Sequence, residues 1–160
     1  MKNRFGWMRG VVVVVAFAIS GIAQDTAKTP DGSVRSKLIG AWRLAWSEDQ
    51  GSDGKMVRFD QTGIIMYTSD GHMAVQIRTL KPNAAVSSGP VNYEQDGYEG
   101  YYGTYEVNEA QHTVTHHVEG ALVKSLIGKD LTRVYKFSDH QLVLRSSRSD
   151  EHWTICWEHD

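Results

Sequence analysis

Between residues 38 and 158 apolar and polar residues alternate in short runs, and turn residues separate the runs. Alternation with a period of two marks strands that bury one face. Nine such runs stand out, at 39–47, 55–59, 63–69, 72–78, 101–107, 113–118, 131–137, 141–147 and 151–158. Asp-Gly, Asn-Glu, Asp-His and Ser-Asp pairs between neighbours favour tight reversals. The pattern predicts an all-β domain, a single antiparallel up-and-down β-barrel of eight or nine strands, because closing the meander removes two unpaired sheet edges.

Two stretches break the alternation. Residues 79–100 are polar, with Pro90 after Ser88-Gly89 placed to start a helix and Tyr93 and Tyr98 placed as anchors. They predict a short helix or lid between the fourth and fifth strands. In residues 120–129, Leu122, Val123, Leu126 and Ile127 share the spacing of one helical face. Either segment is placed to cover a barrel mouth.

Ahead of the domain, Lys2, Arg4 and Arg9 precede the unbroken apolar run from Val11 to Ile19, and Gly21-Ile22-Ala23 follows with small residues. The run falls well short of the roughly 20 apolar residues that a membrane-spanning helix needs. Residues 1–23 therefore read as a cleaved signal peptide, 24–37 as a flexible leader and 38–160 as the barrel domain. The expected location is periplasmic or secreted, with no stable membrane anchor after cleavage, since no cysteine follows the run to carry a lipid. Cys156 is the single cysteine, so no intramolecular disulfide forms. The chain has 17 Lys and Arg against 19 Asp and Glu, and Lys2, Arg4 and Arg9 leave with the signal peptide. The acidic remainder argues against nucleic acid or an anionic membrane surface as partner.

Strand alternation also predicts what lies inside. A turn at residues 108–110 sets Tyr105 opposite Val114 and Gly103 opposite His116. A symmetric closure of residues 120–129 then sets Val114 against Tyr135 and His116 against Arg133. Turns at Asp139 and Ser149-Asp150 continue the rows, pairing Tyr135 with Leu144, Arg133 with Ser146, Leu144 with Ile155 and Ser146 with Trp153. The first four strands add Trp42, Leu44, Trp46, Ile65, Tyr67, Met73, Val75 and Ile77.

Gly103, His116, Arg133 and Ser146 are the exceptions in this apolar interior. A guanidinium in such a place needs partners, and two readings follow for Arg133: it stacks on an indole such as Trp42 and closes one barrel end, or it clamps a ligand carboxylate. His116 is read either as a satisfied core histidine or as a group that bonds a ligand or moves a proton in the gap beside Gly103. The candidate ligand-binding set is Trp42, Tyr67, Gly103, Tyr105, His116, Arg133, Ser146 and Trp153, with His116 the single catalytic candidate.

Other motifs carry no chemistry. His112, His116 and His117 cannot share one metal ion, because four residues of strand span about 13 Å and adjacent residues face opposite ways. No feature marks Cys156 as an activated thiol, and Asp70-Gly71 opens a strand rather than the helix a phosphate loop requires. No metal or cofactor is expected.

Several segments together resemble a known family. Leu38-Ile39-Gly40-Ala41-Trp42 is similar to the opening Leu-x-Gly-x-Trp strand of the bacterial and fungal lipocalin-like domain family. The run from Gly63 to Met73 resembles its second signature, and Tyr102-Gly103-Thr104-Tyr105 with Val114-Thr115-His116-His117-Val118 its third. Gly128, Arg133 and the closing Trp157-Glu158 complete the resemblance, and His159 stands where a basic residue is common. The resemblance spans residues 38–158 and implies a calycin-type barrel with a His and an Arg at His116 and Arg133, without a substrate to transfer.

The first functional expectation is an exported protein that binds a small hydrophobic or amphipathic molecule in the barrel, with an acid group reaching the His116/Arg133 layer. A second is a cofactor-free isomerase or cyclase, in which His116 moves a proton while Arg133 and Tyr67 or Tyr105 stabilise negative charge. A third is a barrel filled by Trp42, Trp46, Trp153, Trp157, Tyr105, Tyr135 and Phe137, with a structural or protein-binding role.

Overall fold

The computed structural model of the chain describes residues 33–81 and 91–159. The expected signal peptide, most of the expected leader, and Pro90 with Ser88-Gly89 lie outside the described residues. All nine predicted strands form: β1 (Gly40–Gln50), β2 (Met56–Arg58), β3 (Asp60–Tyr67), β4 (His72–Lys81), β5 (Tyr98–Asn108), β6 (Thr113–Ala121), β7 (Asp130–Ser138), β8 (Gln141–Ser146) and β9 (Thr154–His159). Neighbours in sequence pair antiparallel from β3 to β9, and β9 returns to pair with β1, which closes the sheet. The result is an eight-stranded antiparallel barrel plus one extra strand. That extra strand is β2, which pairs with the last residues of β1 while β3 pairs with its first.

A helix, α1 (Val34–Leu38), stands where a structureless leader was expected. The Ser33 hydroxyl accepts from the Ser36 N–H at 3.2 Å and caps it. Leu38 enters the core with no exposed surface, and the Trp42 indole donates to its carbonyl at 2.8 Å. Arg35 lies over the Tyr105 ring and donates to the Ser69 carbonyl in the β3–β4 turn. α1 therefore sits on the barrel end that holds this turn, away from the end where β4 finishes and β5 begins. In the expected lid region no helix forms over residues 91–97; instead a tight turn bridges Gln95 and Tyr98.

The predicted registers hold in the last two of the four hairpins. Arg133 pairs with Ser146 and Tyr135 with Leu144, as the two-residue turn at Asp139-His140 requires; Leu144 pairs with Ile155 across β8 and β9, whose ladder ends at Arg145 and Thr154, one residue short of the expected Ser146–Trp153 pair. In the two preceding hairpins the pairing is displaced by two residues. Tyr105 lies opposite His116, and Gly103 opposite Val118. Val114 lies opposite Arg133, and His116 opposite Leu131. The cause in the first hairpin is a turn two residues longer than the predicted register requires, from Glu109 to His112, with His112 in the left-handed region at φ 52°. A displacement of two leaves every side chain on its predicted face, so His116 and Arg133 still point inward.

Three expectations fail for local reasons. A bulge between Leu44 and Trp46 turns Trp46 outward, where Arg58 stacks on its ring at 4.0 Å, and brings Ser47 inside. Gly103 leaves no gap beside His116: it sits at a second bulge, where a Cβ would run into the His117 carbonyl. In the β6–β7 connection a single 3₁₀ turn (Lys124–Leu126) replaces the predicted helical face, burying Leu126 while Leu122 and Ile127 stay about half exposed.

Candidate functional site

The barrel is not filled. A cavity of about 510 Å³ opens at the end opposite α1, lined by the second half of β1, the starts of β3 and β5, the end of β4 and residues 91–94 and 150–153. Its wall is apolar where Ile65, Val75, Ile77, Leu144, Ile155 and Trp157 face it. A chain of polar groups runs along one side: Ser47 donates to Gln61, Gln61 to Thr79, and Thr79 to Glu94, at 2.6–2.9 Å.

His116 lies at the inner end of this cavity, 1% exposed. The Tyr67 hydroxyl meets its Nε2 at 2.8 Å and the Tyr101 hydroxyl its Nδ1 at 3.0 Å. Burial, reinforced by the neighbouring Arg133 charge, holds the imidazole well below its ordinary titration range. His116 is thus a neutral ring with both nitrogens engaged, one donating and one accepting.

Arg133 projects inward from β7 and is 4% exposed. Its guanidinium lies 4.7 Å from the Trp153 ring centre and 5.2 Å from that of Tyr93. Among the described residues its one hydrogen bond to backbone is long, 3.4 Å to the Thr132 carbonyl. Burial works against this charge, but the Tyr101 and Tyr93 phenols and Glu99 around it more than offset that, and its pKa is raised. The group is therefore a fixed cation at the cavity wall. Among the described residues no carboxylate forms an ion pair with it.

The buried carboxylate of Glu151, which lines the same cavity, is committed elsewhere. Glu151 is buried and accepts from Ser146 at 2.5 Å, from the Trp153 indole at 3.0 Å and from the Tyr93 hydroxyl at 3.1 Å. Arg148 adds an ion pair at 3.2 Å. These bonds place the two rings that cover Arg133, so Glu151 builds the frame and leaves the guanidinium to the cavity.

This arrangement sits in a recognisable sequence. The sequence model of the lipocalin-like domain matches residues 39–158. The chain belongs to the lipocalin-like domain family. Among solved structures, a lipocalin-like protein from Bacteroides uniformis ATCC 8492 is 14% identical, covers 78% of this chain and 99% of its own, and has a TM-score of 0.44. A protein from Bacteroides eggerthii DSM 20697 is also 14% identical, with 76% and 99% covered and a TM-score of 0.43. A mutant of the fluorescent protein UnaG is 16% identical, with 78% and 97% covered and a TM-score of 0.39. No curated protein matches the chain.

Of the residues predicted to contact a ligand, this lipocalin-like barrel brings His116, Arg133 and Trp153 to the cavity. Ser146 acts one step back, through Glu151. Tyr67 and Tyr105 pack together beneath the cavity, ring centres 4.9 Å apart, and Tyr67 reaches it only through His116. Trp42 packs against Phe137 and His159 near α1 rather than on Arg133; the indole that Arg133 meets is Trp153. Gly103 contributes a bulge. Sequence reasoning missed Glu99, Tyr101, Glu151 and the Ser47–Gln61–Thr79 chain as cavity residues. Tyr101 and Glu99 follow the same inward alternation as Gly103 and Tyr105 once β5 is extended to Tyr98.

His116→Ala should destabilise the barrel by about 3 kcal/mol, since it leaves a void and strips two buried phenols of their partner. Urea unfolding of this variant beside wild type checks it. A loss under 1 kcal/mol would show that the tyrosines find other partners.

Proposed function

We propose that this protein is an exported binder of a small, largely apolar organic acid, held in the barrel with its carboxylate on Arg133. The observation that carries this reading is a buried guanidinium facing a cavity of about 510 Å³ with no carboxylate partner among the described residues. A buried cation without an anion is costly, and an incoming acid supplies both the charge and acceptors for its donors. The volume falls in the range of small-molecule sites, and the mix of apolar wall and few polar groups is typical of them. The cavity also favours binding over a filled barrel. The proton-transfer reading is less well supported, because both His116 nitrogens already hold phenol partners.

Trp153 and Trp157 line the cavity and report occupancy. Titration of intrinsic tryptophan fluorescence with fatty acids, retinoate and aromatic acids should give saturable quenching, with the matching alcohols or amides at least tenfold weaker. Equal response to acid and alcohol would contradict a role for Arg133 in recognition.

A further inference from the structure

A second ionisable group, Glu99, shares the cavity with Arg133. Glu99 opens β5 opposite Ile77 and lines the same cavity. Among the described residues its carboxyl has no hydrogen-bond or ion-pair partner. Ile77 and Thr79 of β4 beside it are uncharged. Tyr101 lies on its own strand, Glu94 and Tyr93 on the preceding loop, and Arg133 across on β7. The far wall carries Asp49, Glu151 and His152, and neutral His116 lies deeper. Asp49 already accepts from the Gln50 N–H, and Glu151 is saturated.

We propose that Glu99 is a second ligand-contacting residue of this cavity, and that an acid docks on Arg133 together with one proton, which Glu99 takes up. This rests on the anion-binding reading of Arg133 and adds a specificity residue to it. Two carboxylates near one guanidinium repel each other, whereas a carboxylic acid beside a carboxylate donates to it. The protonated Glu99 O–H then donates to one ligand oxygen while Arg133 donates to the other. Burial favours the proton on Glu99 even without ligand and pushes its carboxyl up to about 7, with Arg133 pulling it down and Glu94 adding to the rise. The sign follows. Below this value Glu99 is neutral and the site receives an anion freely; above it the ionised Glu99 competes for Arg133, so anion affinity falls as pH rises.

The probe is 8-anilinonaphthalene-1-sulfonate, whose sulfonate stays ionised at every pH used, so any proton taken up belongs to the protein. Its Kd for the full chain should be flat below pH 6.5 and rise toward tenfold per pH unit between pH 7.5 and 8.5, as linkage to one proton requires. Glu99→Gln should keep the low-pH affinity across the range, with thermal melting confirming that it is folded. Glu99→Leu should be equally flat, at weaker affinity. A flat wild-type profile, or the same slope in both variants, overturns the role of Glu99. Arg133→Met should lose the probe at every pH; binding indifferent to this change, or no uptake of the probe by wild type, overturns the anion site itself.

Discussion

Arg133→Met is expected to lose at least ~100-fold in affinity for carboxylate ligands, on the order of 3 kcal/mol, and to fold as stably as wild type or more so. The two halves of this result belong together. Methionine fills most of the volume between Tyr93 and Trp153 and keeps an aromatic contact, while removing a charge that burial penalises and that forms no ion pair with a carboxylate among the described residues. Replacing a buried charge by an apolar group of similar size is often neutral or stabilising. The stacking on Trp153 and Tyr93 contributes about 0.5–2 kcal/mol in the other direction. If stacking of Arg133 served to close the barrel, the same substitution would instead destabilise it by about 0.5–2 kcal/mol, the loss of that stacking. Equilibrium unfolding in urea together with a fluorescence titration separates the two.

Gly103→Ala is expected to cost at least about 3 kcal/mol, more than most single substitutions, although it adds only one methyl group. The added Cβ meets the carbonyl oxygen of His117, which is backbone on the paired strand and cannot turn aside. The bulge between Tyr102 and Gly103 must then reform, and with it the pairing of β5 with β6. Gly128→Ala provides the contrast. It also replaces a glycine, at φ +77°, but nothing lies within 4 Å of the new Cβ, so only the left-handed backbone is penalised, by about 1 kcal/mol. Similar losses at the two positions would show that the bulge tolerates a side chain.

Most of the architecture is legible in the residues because alternation is a strong signal. His116 and Arg133 interrupt apolar rows, and a register error of two leaves their direction unchanged. What alternation cannot show is an inserted residue. In the sequence Trp46 extends the row of Trp42 and Leu44, yet the bulge at this point reverses the rest of β1 and puts Ser47 inside, where it starts the polar chain through Gln61 to Thr79. Glu151 was assigned to a strand, but its role comes from a loop that folds back over Ser146 and Trp153. Glu99 stood within a stretch read as a lid. Gly103 stands out in the sequence as unusual, but it marks a close backbone approach, which a glycine in a strand signals as readily as an empty space.

The most direct test of the central claim is a crystal structure of the protein with the acid that quenches its tryptophans most strongly. The account predicts one carboxylate oxygen within 3.2 Å of an Arg133 nitrogen, the usual limit for such a bond, with the guanidinium still between Trp153 and Tyr93 and the apolar body of the ligand against Ile65, Val75 and Leu144. An acid bound with its carboxylate in solvent, or a ligand seated elsewhere while Arg133 keeps only its aromatic contacts, would contradict it.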